Sequence, residues 1–293
     1  MKKIACIPAF NEGKILRDVI KKTEKFVDQI IVCDDGSSDN TSKIARDAGA
    51  HVITHKQNLG KGAAMKTLFD YVKNLDVDII ITIDGDGQFL PEEIPKLVAP
   101  IKEKNADIVI GYRFDDQSEM PTYRKMGNKF LDKVTNLASE LPFRDTQGGF
   151  RAYSKRAIIE INFNTTGFGV DAEILIDAST KKLKIVEEKV TVIYNTGSDT
   201  STKSPISHSA EVVASLIELI AIKHPLKFLG IPGIILITTG IILGVFVLIT
   251  FNDSRYFSIP FTLGSIASAI IGLIFLLMSV VLFSMGTMSR KSS

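Results

Sequence analysis

Cysteine is nearly absent from this chain of 293 residues. The two present, Cys6 and Cys33, both fall inside apolar, strand-like runs. Two thiols cannot build a disulfide framework, so they are expected to be buried and reduced, as in a cytosolic domain. Histidine is almost as scarce. The four at 51, 55, 208 and 224 show no metal-ligand spacing, which argues against a His-built zinc site. Net charge is small as well: a formal +2 calls for no polyanion-binding surface, so nucleic acid is not an expected partner. The amino end, MKKIACIPAFNE, has an apolar segment of only about seven residues and no small-residue cleavage site, so a first strand is expected there and not a signal peptide. Both glycine-rich phosphate loops are missing. PAFNEG follows the first strand in place of GxGxxG, and no GxxxxGK[ST] occurs, which sets aside the dinucleotide-binding and P-loop readings.

What is present is organised around residues 79–93, IIITIDGDGQFLPEE. A continuous β-branched apolar run predicts a strand buried on both faces of a parallel sheet. It ends in Asp84 and Asp86, with Gly85 and Gly87 between and after them, and then Gln88. In an open α/β sheet ligands collect at the carboxyl ends of strands. Three oxygen-bearing side chains in one tight turn suit Mg²⁺ or Mn²⁺, which take carboxylates together with substrate phosphate oxygens. The same composition also occurs in ordinary turns after strands.

Residues 1–205 alternate between the two periodicities. Strands are expected at 4–8, 29–34, 51–55, 78–83 and 107–111, with helices near 13–26, 40–48, 61–74 and 91–104. Such βαβα alternation predicts an α/β fold with a mostly parallel, Rossmann-like sheet and right-handed crossovers. Further helices are expected at 122–139 and 170–181.

Composition changes sharply after residue 205. Residues 206–227 begin with apolar side chains at 206, 210, 213, 217 and 220, the pattern of an amphipathic helix. That helix suits either a soluble core or a membrane surface. Two uncharged apolar stretches follow, 228–251 and 259–285, each long enough to span a bilayer, within a hairpin covering 228–287. Lys223, Lys227, Arg290 and Lys291 flank the hairpin, against Arg255 and Asp253 in its loop. The positive-inside bias therefore places residues 1–205 and the carboxyl end in the cytoplasm. Membrane lipid is an expected partner, and a homo-oligomer stays open.

The strand ends are acidic: Glu12 after the first, Asp34 and Asp35 after the second, Asp84 and Asp86 after the fourth. Carboxylates accept hydrogen bonds from a nucleobase amide or ribose hydroxyls, and meet a diphosphate only through a metal. A nucleotide-sugar satisfies both demands.

IPAFNEG, VCDDGSSDNT, NLGKGAA, IDGDGQFLPEE and DTQGGFRAYSK stand in the order and spacing of the A-type inverting glycosyltransferases. Over residues 3–160 the chain resembles the dolichyl-phosphate (polyprenyl-phosphate) hexose synthases, and the DTQGGF run is closest to the glucose branch. The resemblance implies a GT-A domain using a nucleotide-sugar donor, UDP-glucose ahead of GDP-mannose. It implies that Pro8, Phe10, Glu12, Cys33 and Asp35 hold the nucleoside, with Phe10 replacing a usual tyrosine. Asp84, Gly85 and Asp86 match the donor-binding turn, with Asp86 and Gln88 as metal ligands. Arg113 and Arg124 match residues that take the phosphate of a polyprenyl or dolichyl phosphate acceptor, and Asn128 stands where relatives can place a serine. An arginine expected near 195–205 is absent, Lys203 being the only basic residue there. Asp171 and Glu173, in GFGVDAEIL, are either a catalytic base or helix-starting acids that favour the dipole.

An acceptor phosphate is ionised at neutral pH and needs no general base, which leaves positioning and charge stabilisation as the main catalytic tasks. Two alternatives stand beside this expectation. One is the same fold acting on a glycan or lipid hydroxyl, which would require Asp171 or Glu173 as base. The other is a non-catalytic, membrane-anchored nucleotide-sugar binder, which the intact DGDGQ turn disfavours.

Overall fold

The computed structural model describes residues 1–113, 129, 131–133, 135, 136, 139, 141–164, 169–193 and 225–291, apart from the side chains of 286–291. By internal contacts the chain separates into two units, Met1–Leu216 and Ile217–Ser293.

The first unit is built on a seven-stranded sheet among the described residues. Its elements in chain order are β1 (Lys3–Ala9), α1 (Leu16–Thr23), β2 (Gln29–Asp34), α2 (Thr41–Asp47), β3 (His51–Thr54), α3 (Lys61–Lys73), β4 (Ile79–Thr82), α4 (Ile94–Lys102, entered through a 3-10 turn at Pro91–Glu93), β5 (Ile108–Tyr112), β6 (Arg151–Ser154), α5 (Lys155–Glu160), α6 (Val170–Thr180) and β7 (Ile185–Lys189). The strand order is β3-β2-β1-β4-β6-β5-β7. β1, β2, β3 and β4 pair in parallel, as do β5 and β7, whereas β6 runs antiparallel to both its neighbours.

Side chains alternate across this sheet, so each strand feeds two cores. Ile4 and Cys6 of β1 pack with Met65, Leu68 and Phe69 of α3 and Ile174 of α6. Ala5 and Ile7 face the other way, against Leu16 and Ile20 of α1 and Leu97 of α4. β4 has no exposed residue, as its unbroken apolar run predicts. Full burial of each such Ile or Leu contributes about 1.5–3 kcal/mol.

The order of strands decides where a ligand can go. β2 and β3 extend the sheet on one side of β1, and the α3 crossover then carries the chain to β4 on the other side. The carboxyl ends of β1 and β4 therefore flank a topological switch point, the crevice in which open α/β sheets take ligands. β6 enters from the opposite direction, with Arg151 beside Thr82, so the loop before it reaches the same crevice. The sequence periodicity did not reveal β6, α5 or β7: RAYS and KRAIIE are short, and IVEEK is a half-exposed strand without an apolar run.

Of the helix expected at 122–139, residues 129, 131–133, 135, 136 and 139 are helical. Arg124, Asn128, Lys203 and most of the expected amphipathic helix lie outside the described residues.

In the second unit a π-helical turn, Leu226–Gly230, leads into α7 (Ile231–Ser254), and α8 covers Ile259–Lys291. Two helical spans, Leu226–Ser254 and Ile259–Met285, are long and apolar enough to cross a membrane. Apolar surfaces alone do not drive helices together in lipid; close backbone approach does. A Cβ added at Gly240 would stand 2.9 Å from Ala269 N and Ser265 O, and one at Gly272 would stand 2.7 Å from Gly233 O. Ser265 Oγ also donates to Gly240 O at 2.7 Å across the pair. Gly240→Leu should therefore lower the melting temperature of the detergent-solubilised protein by several degrees. Gly264→Leu, whose Cβ would meet nothing nearer than Leu243 Cδ1 at 3.9 Å, should leave it unchanged.

Candidate active site

Pro8 lies near the end of β1, and the loop after it carries Phe10 and Glu12, all three partly exposed. Asn11 turns it through a left-handed conformation at φ 57°. The loop is stitched to the one after β2: Asn11 N–H donates to Ser37 Oγ at 2.8 Å, and Asn11 Oδ1 accepts from Ser38 N–H at 2.9 Å. Glu12 N–H donates to Thr41 Oγ1 at 3.0 Å, and Gly13 N–H to Asp39 Oδ2 at 3.1 Å.

Asp35 is buried and holds the next segment. Its Oδ1 lies 2.7 Å from His55 Nδ1 and accepts Leu59 N–H at 3.0 Å, while Oδ2 accepts Gly60 N–H at 2.8 Å. Gly36, at φ +71°, lets the chain pass so close to Gln57 that a Cβ would stand 2.3 Å from its carbonyl carbon. Cys33, expected at the nucleoside from the sequence resemblance, has no exposed surface. Its Sγ lies 3.6 Å from His55 Nε2. Burial, then the charges of Asp35 and Asp34, push this thiol up to about 12, so it stays protonated inside the sheet.

Asp35 thus caps the start of α3, whose first residue is Lys61. A cation at a helix N-terminus opposes the macrodipole, and the reason for one here is tertiary. Lys61 Nζ lies 3.0 Å from Asp84 Oδ1 and 3.0 Å from Asp171 Oδ2. Burial works against this charge, but the two carboxylates outweigh it and raise its pKa above the ordinary lysine value. One largely buried ammonium therefore joins the acidic turn after β4 to the first turn of α6.

The acidic turn itself is crowded with like charge. Burial, then the charge of Asp84, pushes Asp86 up to about 6, although Asp86 Oδ1 accepts Gln88 N–H at 3.0 Å. Burial, then Asp86, Asp84 and Asp39, pushes Glu12 up to about 7. Hard oxygen donors held against their mutual repulsion fit a small divalent cation. Among the described residues no three His, Cys, Asp or Glu side chains are grouped to enclose a metal. An ion here would therefore draw further oxygens from a bound ligand.

The opposite wall is the 145–149 loop. Gly149 approaches Asp84 so closely that a Cβ would stand 2.5 Å from its Oδ2. Asp145 is fully buried and clasps Arg113: Nε donates at 2.6 Å, Nη2 at 2.9 Å and the main-chain N–H at 3.1 Å. Burial would raise Asp145, but the Arg113 guanidinium outweighs it and holds the carboxyl below the ordinary aspartate value. The fork of Arg113 is therefore engaged by Asp145. Glu173 is buried, and both its oxygens accept Asn164 N–H at 3.2 Å. Its carboxylate thus orders a loop beside α6.

Lys61, Asp145 and Gly149 were not picked out as site residues from the sequence, although NLGKGAA and DTQGGF contain them. One local signal existed: a lysine opening a helix directly after glycine stands at the wrong end of the dipole.

A mostly parallel sheet, one antiparallel strand inserted beside the switch point and an acidic turn at its mouth define a GT-A fold. The chain belongs to glycosyl transferase family 2, whose model matches residues 4–161, just over half of it. The UDP-N-acetylglucosamine–dolichyl-phosphate N-acetylglucosaminyltransferase of Methanococcus voltae is 33% identical over 64% of this chain and 84% of its own. The dolichol-phosphate mannosyltransferase of Pyrococcus furiosus is 31% identical over 64% of this chain and 55% of its own. Among solved structures, a glucosyl-3-phosphoglycerate synthase from Mycobacterium tuberculosis in complex with Mn²⁺, UDP and phosphoglyceric acid superposes with a TM-score of 0.57. It is 22% identical and covers 74% of this chain and 78% of its own, a likeness of fold.

Lys61→Met should leave Asp84 and Asp171 facing each other without their counter-charge. Breaking a fully buried pair costs about 3–5 kcal/mol; because Lys61 and Asp84 keep 15% and 24% of their side-chain surface, a smaller loss is expected, readable as a lowered denaturant midpoint. A second expectation concerns pH. A carboxyl whose pKa is higher in the folded than in the unfolded chain binds its proton more tightly when folded. Its contribution to stability is therefore lost as pH climbs, from 4.5 to about 7 for Glu12 and from 3.8 to about 6 for Asp86. Melting temperature in metal-free buffer at pH 8 should accordingly rise in Glu12→Gln and in Asp86→Asn.

Proposed function

We propose that this protein is a membrane-anchored inverting glycosyltransferase that moves a hexose from a nucleotide-sugar onto dolichyl or polyprenyl phosphate. The observation carrying this reading is the state of the two candidate bases. Asp171 is buried with Oδ2 ion-paired to Lys61 at 3.0 Å, while its Oδ1 makes no hydrogen bond among the described residues, and both oxygens of the buried Glu173 accept Asn164 N–H. Neither carboxylate is disposed to take a proton from a hydroxyl acceptor, whereas a phosphate monoester arrives ionised. The names of both polyprenyl-type relatives and the apolar hairpin support the same acceptor class.

The donor diphosphate is assigned to the crevice between Glu12 and Asp84–Asp86. Mg²⁺ or Mn²⁺, held by Asp86 and Gln88, would supply Lewis-acid neutralisation of the leaving diphosphate. Lys61 keeps Asp84 in place, and the nearby Gly149 main chain closes the turn from the other side. Arg113, oriented by Asp145, and Arg124 supply positive charge on the acceptor side. Displacement at the anomeric carbon by the acceptor phosphate oxygen then proceeds with inversion.

Asp35 supports a uridine donor. Three donors already engage its carboxylate, two on Oδ1 and one on Oδ2. The remaining acceptor capacity matches the single N3–H of uracil better than the paired N1–H and N2–H of guanine. With the DTQGGF resemblance, UDP-glucose is the favoured donor. UDP-N-acetylglucosamine and GDP-mannose belong in the same assay, because relatives carry those names. Positive charge flanking the hairpin assigns the catalytic unit to the cytoplasmic side.

Membranes containing the protein, given each labelled donor with polyprenyl phosphate and Mg²⁺ or Mn²⁺, should form an acid-labile, organic-soluble product from UDP-glucose. Asp86→Ala should abolish it, which would also exclude a non-catalytic binder. Asp171→Asn should retain transfer within about 10²-fold, since loss of a general base costs about 10²–10⁴. A larger loss with donor binding intact would favour the hydroxyl-acceptor alternative.

A further inference from the structure

Arg151 opens β6 and is fully buried, out of reach of any substrate. Its guanidinium nevertheless spans two parts of the site. Nε donates to Gly148 O and Nη2 to Thr146 O, both at 2.8 Å, while Nη1 donates to Asp171 O at 2.8 Å. A buried cation is costly, and a planar fork serving three carbonyls is an arrangement that a lysine ammonium cannot reproduce. The two tethered segments carry the groups that surround Asp84. The Thr146–Gly148 stretch leads into Gly149, packed against the Asp84 carboxylate, with Gly149 O also accepting Thr82 Oγ1 at 2.8 Å. Asp171 reaches Asp84 through Lys61. The contacts close a ring: Arg151 to Asp171, Asp171 to Lys61, Lys61 to Asp84, Asp84 to Gly149, and the 146–149 loop back to Arg151.

We propose that Arg151 is a positioning residue for the transfer reaction, locking the acceptor-side loop to the first turn of α6 and thereby fixing the acidic turn. In effect, the buried guanidinium sets the distance between the donor-binding turn and the wall that clasps Arg113. Asp145 precedes Thr146 directly, so slack in this loop would move Arg113 as well.

The inference rests on the glycosyltransferase reading for its kinetic arm and not for its structural arm. The experiment compares wild type with Arg151→Lys and Arg151→Met in the full-length protein reconstituted in lipid. Amide hydrogen exchange should accelerate together in peptides covering 145–150 and 169–174, with β1 and β2 unaffected. Per folded molecule, Arg151→Lys should lower kcat for transfer by at least about tenfold, which is about 1.4 kcal/mol of barrier. UDP affinity in Mn²⁺ should change less than about threefold. The ratio of donor hydrolysis to transfer should rise, because a loosened wall admits water where the acceptor belongs. A merely structural arginine would lower the melting temperature while leaving kcat per folded molecule and that ratio unchanged, and this result overturns the proposal. Exchange confined to one of the two segments also overturns it. Should wild type transfer no sugar at all, the function reading fails, while coupled exchange of the two segments still decides whether Arg151 ties them.

Discussion

The site depends on one largely buried ammonium among converging carboxylates. Glu12, Asp84, Asp86 and Asp171 approach from three separate elements, and like charges so placed repel each other at low effective dielectric. Lys61 offsets that repulsion where it matters most, between the turn after β4 and the start of α6. Its own position is secured from behind. Asp35 binds Leu59 and Gly60 N–H, and His55 binds Asp35. The order of support thus runs from β2, through the cap of α3, to the lysine and then to the acidic turn.

That arrangement leaves Glu12 and Asp86 only partly compensated, with their protons held more tightly than usual. A site of this kind would gain from a divalent cation and a nucleoside diphosphate arriving together, since a cation would relieve the repulsion between the carboxylates. The carboxylates that might have served as bases are buried, Asp171 with one oxygen paired to Lys61 and Glu173 with both accepting Asn164 N–H. An acceptor that brings its own negative charge fits such a site, and a lipid phosphate presented at a membrane also gives the apolar hairpin a purpose.

Much of this was legible along the chain. β1 to β4 and the helices between them follow from apolar runs alternating with helical periodicity, because strands buried on both faces and helices with one buried face leave distinct patterns. The two membrane-length helices were legible for the same reason, their composition being apolar all round. β6 and β7 escaped notice, one for shortness and one for half-exposure. The acidic turn was visible because two Asp and a Gln follow a buried strand in one turn, although only the other motifs separated it from an ordinary Asp-Gly turn. Arg113 was visible as a cation but not as the partner of Asp145, a residue 32 positions away.

The linear order of residues determined by itself the βαβ class, the acidic strand ends, the apolar hairpin and the family motifs, since these depend on local periodicity and composition. Only tertiary structure decided which charges neutralise which. Lys61, Asp84 and Asp171 are separated by 23 and 87 residues, and no periodicity links them. Their meeting follows from the crossover that puts β4 beside β1, and from a β6 that runs backwards to bring the 145–149 loop onto Asp84. Charge pairing at a distance is a property of topology, so it became readable only when the strands were placed side by side.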